Sequence, residues 1–167
     1  MLDLGAVAAL AADAIGEPGH RTFRLLAAGG AASTCAWLEK EQLHALAAAC
    51  QQLVARLGVR GDEQESEPSS VPEPYDAEFQ IGAITIGYEE ASGLPVILLY
   101  ETDADTDGPP TVRFQATGAQ LLGFSRQVER VVRAGRPHCP LCDMPLGDEP
   151  HACPRANGHG KMLGPLR

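Results

Sequence analysis

Cys139-Pro-Leu-Cys142 and His151-Ala-Cys153 place four metal-competent side chains in one short stretch near the carboxyl end. Two thiols separated by two residues fit a turn that aims both sulfurs at one point, and a His and a Cys two apart share one face of an extended segment. The spacing predicts a small tetrahedral site for Zn2+ with Cys139, Cys142, His151 and Cys153 as ligands. Four protein ligands leave no position for water, so the expected ion is structural. Pro140 and Pro145 stiffen the loops. A segment with little core of its own then draws most of its folding free energy from the metal. Free thiols and a redox pair remain as other readings. A thioredoxin-type pair belongs at a strand-to-helix junction, whereas this one follows a helix and enters a Pro-rich loop. The imidazole ligand is open between His151 and His159, with His138 directly before Cys139; same-face spacing favours His151.

The other 135 residues are enough for one ordinary core, which gives an α+β domain over 1–135 and a zinc-knuckle tail over 136–167. Aromatics make up only 5%, so Ala, Leu and Val must do most of the packing. Five cysteines, an odd number, argue against a disulfide framework. The opening residues lack a basic leader, and no apolar run is long enough to span a membrane, so a cytoplasmic protein is expected. The net charge of −9 is uneven: acids crowd 62–76 and 101–107, while the segment from Arg126 onward is locally basic.

Asp3 as a cap, with Val7, Leu10, Ala11 and Ile15 at helical spacing, predicts a first helix that stops at Gly16 and Pro18. Thr22 to Ala27 and Thr34 to Leu38 read as a hairpin turning through Gly29-Gly30. Lys40 to Leu57 carries a stripe of Leu43, Leu46, Ala47, Cys50, Leu53, Val54 and Leu57, with Gly58 as terminator. Gly61 to Tyr75 mixes acids, Ser and Pro and reads as a flexible acidic linker or a long surface loop. Glu78 to Tyr88 is extended, but its apolar parity slips between Ile81 and Ile84, which predicts a bulge near Gly82-Ala83. Val96 to Tyr100 reads as a strand covered on both faces, and Thr111 to Ala116 as another. Thr117 with Gln120 predicts a capping box for a last helix with Leu121, Phe124, Val128, Val131 and Val132 inside. The expected architecture is a mainly antiparallel five-stranded sheet with helices largely on one face.

Outside the tail, function has thinner signals. Glu17 and Arg21 flank a Gly/Pro turn, and turn geometry alone accounts for that composition. Arg126, Arg130 and Arg133 form a stripe on the last helix that is most often a solvated face, with an acidic or phosphate-bearing partner as the minority reading. Phosphate-binding loops, nucleophile elbows and zinc-protease motifs are absent from the sequence, which leaves catalysis without a candidate residue.

Leu2-Asp3-Leu4-Gly5, Gly16-Glu17-Pro18-Gly19 leading to Arg21-Thr22-Phe23, Leu38-Glu39-Lys40-Glu41-Gln42, Gly135-Arg136-Pro137, Cys139-Pro140-Leu141-Cys142 and His151 through Gly158 form a set that runs nearly end to end. With these landmarks the chain resembles a mainly actinobacterial family of conserved hypothetical proteins, a domain of unknown function. The family pattern places a His at position 151, which supports it as ligand. Asp143 departs from the usual knuckle, where a Gly would ease the turn. The resemblance implies a small partner in a gene trio with a kinase-like and a phosphomutase-like protein, and so accessory work beside phosphoryl chemistry. Three functions follow as expectations. The first is a non-enzymatic, zinc-stabilised adaptor that binds another protein, with Arg155 and Asn157 in the contact surface. The second is an enzyme or binder for a phosphorylated small molecule, with Glu17, Arg21 and Arg155 converging. The third is nucleic-acid binding through the basic region, against which the acidic loops argue.

Overall fold

The first fifteen residues fold as two strands and a short bend, and this changes the architecture. The computed structural model describes residues 1–17, 20–58, 71, 73–134, 139–142, 144, 146 and 153–155. Where a helix is expected, β1 (Leu2–Ala6) and β2 (Ala9–Ile15) run in succession with only Val7 and Ala8 between them. Gly5 has φ +61, a value no helix interior takes, and its N–H donates to Asp3 Oδ1 where the register of β1 against β7 shifts, so Asp3 steadies an irregularity in a strand instead of capping a helix. In β2 the side chains alternate: Leu10 and Ala12 enter the main core, while Ala9 and Ala11 enter a smaller cluster on the opposite face. Alanine fits either period, which is why the apolar spacing misleads.

The remaining elements are β3 (Thr22–Gly29), β4 (Ala32–Leu38), α1 (Lys40–Arg56), β5 (Ala77–Glu89), β6 (Leu94–Glu101), β7 (Val112–Gln115) and α2 (Gly118–Arg133). The fold is α+β as expected, but the sheet has seven strands and is mixed, in the order β1-β7-β6-β5-β4-β3-β2. β1 with β7 and β4 with β5 are parallel. The expected five antiparallel strands fail for two reasons. The first segment joins the sheet, and α1 acts as a crossover between β4 and β5, which lets those strands run the same way.

β1 and β2 are consecutive in the chain yet stand at opposite ends of the strand order. The sheet must therefore curl until its ends meet at the bend. There Val7 N–H donates to the Gln115 carbonyl of β7, and Ala8 N–H to the Ala28 carbonyl of β3. All seven strands and both helices consequently share one core, with Leu4, Leu25, Leu38, Phe79, Leu99 and Phe114 facing Leu43, Cys50, Leu121 and Phe124. Helix propensities differ by at most about 0.7 kcal/mol per ordinary residue. β2 pairs seven positions with β3 and buries Leu10 and Ala12 in the main core, and these tertiary contacts decide, since a lone helix of that length is marginal in water.

Several expectations hold in detail. The β3–β4 hairpin pairs from Phe23–Leu38 to Gly29–Ala32. α1 buries Leu43, Leu46, Ala47, Cys50 and Val54. The register of β5 against β6 shifts between Ile81 and Ala83, so Phe79 and Ile81 before it and Ile84 and Ile86 after it all reach the same core. At α2, Thr117 Oγ1 accepts from Gln120 N–H and Gln120 Oε1 accepts from Thr117 N–H, while Gln120 Nε2 donates to the Val7 carbonyl. That capping box thus also pins the bend between β1 and β2. The strand Val96 to Tyr100 is less enclosed than expected: Ile97 and Leu99 are buried, but Val96 and Leu98 are half-buried.

Of the segment read as a linker, 61–70 and Pro72 lie outside the described residues. Val71 is buried against Ala9, Ala11, Leu26 and Cys35, with Tyr75 packed on the same cluster. The end of that segment is therefore docked on the outer face of the sheet.

Candidate metal centre

Cys139, Cys142 and Cys153 come together after α2, with their sulfurs all within 4.8 Å of one another. Cys139 and Cys153 are buried, and their sulfurs are 3.7 Å apart. That is far too long for a disulfide, whose S–S bond is about 2.05 Å. It matches tetrahedral geometry, since ligands at Zn–S distances of about 2.3 Å stand about 3.8 Å from each other. The turn is closed by the Cys139 N–H donating to the Met144 carbonyl at 2.8 Å. Arg155 Nη1 donates to the Leu141 carbonyl at 2.9 Å, which ties the segment after Cys153 to the loop between the paired thiols.

The electrostatics suit a cation. Backbone N–H groups of Leu141 and Cys142 point at the Cys139 sulfur and hold its pKa down to about 6. The Cys142 sulfur receives the Met144 N–H, which favours the thiolate, yet removal from water and the neighbouring Cys139 and Cys153 sulfurs outweigh it and push that thiol up. Three thiolates so close cannot all ionise comfortably by themselves. A divalent cation at their centre resolves the conflict, because metal binding requires and stabilises the deprotonated forms. The three cysteines could hold a metal ion. His151, the expected fourth ligand, lies outside the described residues, as do His138, His159, Asn157 and Asp143.

The other singled-out side chains take separate places. Glu17 is exposed in the turn after β2. Arg21 lies over the Phe23 ring, and its Nη1 donates to the Val131 carbonyl in the last turn of α2 at 2.9 Å. No hydrogen bond or ion pair among the described residues joins Glu17, Arg21 and Arg155. Arg126, Arg130 and Arg133 are exposed along α2. The landmark Leu38 to Gln42 is architectural: Gln42 Oε1 accepts the Glu39 N–H at the start of α1, and its Nε2 reaches the Ile81 and Gly82 carbonyls at the β5 bulge.

Two polar clusters were not read from the sequence. On the outer face, Arg24 makes a bidentate pair with Asp13 at 2.6 and 2.8 Å, lies over Trp37, and borders an open cavity of about 640 Å³ with Ile15, Glu73, Tyr75 and Glu78. On the other side of the ring, Arg113 bridges Asp3 of β1 and Glu89 of β5, with Gln115 donating to both Glu89 and Ser92. Strand alternation places these side chains on the outer face, but which charges pair is set by the order of the strands. None of the described helices is long and apolar enough to cross a membrane.

Comparison with known proteins gives one answer. The model of a family described as "Protein of unknown function (DUF3090)" matches residues 3–153, and the chain belongs to that family. No curated protein and no solved structure matches it.

Proposed function

We propose, with membership of that family as the premise, that this chain is a non-enzymatic accessory protein of the cytoplasm, held together at its tail by a structural zinc ion and acting by binding another protein. The observation that carries the reading is the convergence of the Cys139, Cys142 and Cys153 sulfurs within 4.8 Å on a turn closed by backbone hydrogen bonds. Sulfur donors at that spacing select zinc over harder cations. His151 completes the set as the fourth ligand, which leaves the ion no room for a reacting water. Its work is then to fix a segment too small to hold itself. The fixed turn presents Leu141 and Met144, which are 54% and 49% exposed, beside Arg155. Asn157 and the α2 stripe of Arg126, Arg130 and Arg133 extend the proposed contact surface, with Glu17 and Arg21 at a second edge. The kinase-like and phosphomutase-like neighbours implied by the resemblance are the first partners to try.

Elemental analysis of the purified full chain should find one zinc per chain. Cys142→Ser should release it while the melting of the sheet domain stays put, and His151→Ala should weaken binding where His159→Ala does not. Metal content unchanged by Cys142→Ser would refute the ligand assignment. The adaptor role is tested separately by mixing the chain with each neighbour and looking for a stoichiometric complex; repeated failure with both proteins counts against it and leaves the zinc site standing.

A further inference from the structure

β5 is longer than the cover it receives. β4 pairs with it only from Ala77 to Gln80, whereas β6 lines its other side from Ile81 to Glu89. After Leu38 the chain leaves the sheet for α1, whose Gln42 reaches the Ile81 and Gly82 carbonyls. Beyond them, Ala83 to Gly87 presents a backbone edge on the β4 side. Among the described residues no strand other than β6 pairs with it, and no hydrogen bond outside that pairing reaches it. The free side of the β1–β2 bend is treated differently: Gln127 of α2 accepts the Ala12 N–H, and Gln120 donates to the Val7 carbonyl.

Natural edges are usually blunted by Lys, Pro or inward charges. Ile81-Gly-Ala-Ile-Thr-Ile-Gly-Tyr88 has none of these, in a chain whose net charge is −9. The stretch Ala83-Ile84-Thr85-Ile86-Gly87 also reads nearly the same in both directions. A strand that is close to its own reverse is suited to pair antiparallel with itself, which is what a two-fold contact demands.

We propose that this edge joins the same edge of a second copy of the chain, antiparallel about a two-fold axis at Thr85. Thr85 then faces Thr85 of the second copy, Ile84 faces Ile86, and Ala83 faces Gly87. Ile84 and Ile86 are half-buried and already packed on the core cluster, so the added strand extends that core over them. Thr85, exposed, makes a Thr–Thr pair on the opposite face. Glu78 and Glu89 fall outside the five paired residues, so no acidic side chain faces another within them. The edge chemistry would accept any extended peptide, but the near-palindrome and the missing charges favour the chain itself.

Sedimentation of the full chain over a wide concentration range should show a mass that doubles, and Thr85→Lys, which sets two ammonium groups opposite each other, should abolish the doubling and melt as wild type does at concentrations too low to dimerise. Under a mild disulfide oxidant, Thr85→Cys should give a covalent dimer crosslinked through position 85, located by mass spectrometry against the wild-type background. A chain that stays monomeric throughout overturns the proposal, as does a dimer that forms no crosslink through position 85. Should Thr85→Lys fail to fold, the crosslink decides alone.

Discussion

Gly29→Ala should be among the most damaging single-methyl additions this chain can receive, because it strikes where the curled sheet closes. A Cβ built on Gly29 would lie 2.3 Å from the Leu4 carbonyl oxygen and 3.2 Å from Val7 Cα. Carbon–oxygen approaches in proteins rarely fall below about 3.3 Å, so one backbone must retreat by about 1 Å. Neither can do so freely. Gly29 is paired to Ala32 at the end of the β3–β4 hairpin, and the Leu4 to Val7 stretch is tied to β7. Overpacking costs about 1–3 kcal/mol where side chains give way, and here the obstacle is main chain, so the upper end, about 3 kcal/mol, is expected. At about 2–4 °C per kcal/mol for a domain of this size, Tm should fall by about 6–12 °C. Gly30→Asn is the control: nothing lies within 4 Å of that position, and Asn tolerates its φ of +59, so the change should stay within about 0.5 kcal/mol. Thermal melting followed by circular dichroism compares the two, and amide exchange should show Val7 and Ala8 losing protection in the damaged variant. A Gly29→Ala protein melting within about 2 °C of wild type would refute the closure of the sheet at the bend.

Cys35 and Cys50 are fully buried, and burial pushes their thiols up to about 11 and about 12. A maleimide should spare both in the folded protein and label both in urea; rapid labelling of either in native buffer would contradict its burial. Val71→Ala should cost about 2 kcal/mol, since two methyl groups leave a packed cluster, whereas deleting 61–69 should cost less than half as much. Equal losses in urea unfolding would show that Val71 is not what docks the segment. Ser92 and Arg113 hold the Glu89 carboxyl below the usual carboxylate range. A depressed pKa contributes stability above the ordinary carboxylate value and loses it as pH falls through the folded one. The gap in urea midpoint between wild type and Glu89→Gln should therefore shrink from about pH 6 to about pH 3; a gap independent of pH would dismiss the Arg113 network as a source of stability.

Three kinds of information were legible locally. α1 and α2 announce themselves because their apolar stripes, Leu43 to Val54 and Leu121 to Val128, have one period and a single reading. The slip at Gly82 was readable for a similar reason: large aliphatic residues change parity across it, and only a bulge returns them to one face. The approach of Cys139, Cys142 and Cys153 was readable because the spacing of the thiols is itself a local quantity. Residues 2–15 were not, since an Ala-rich run satisfies a period of two as easily as one near four.

What the sequence determined by itself, then, is whatever depends on neighbours within a turn or two of chain: helix stripes, caps, a hairpin, a bulge and a thiol cluster. Which strands would meet was decided elsewhere. Asp3 and Arg113, 110 residues apart, are joined by an ion pair because β7 offered β1 a bare edge. The bend at Val7 and Ala8 then let one continuous segment satisfy β7 on one side and β3 on the other. Backbone groups on an edge must find partners wherever the chain can supply them. That requirement is global, and it overrode the local preference of the first fifteen residues.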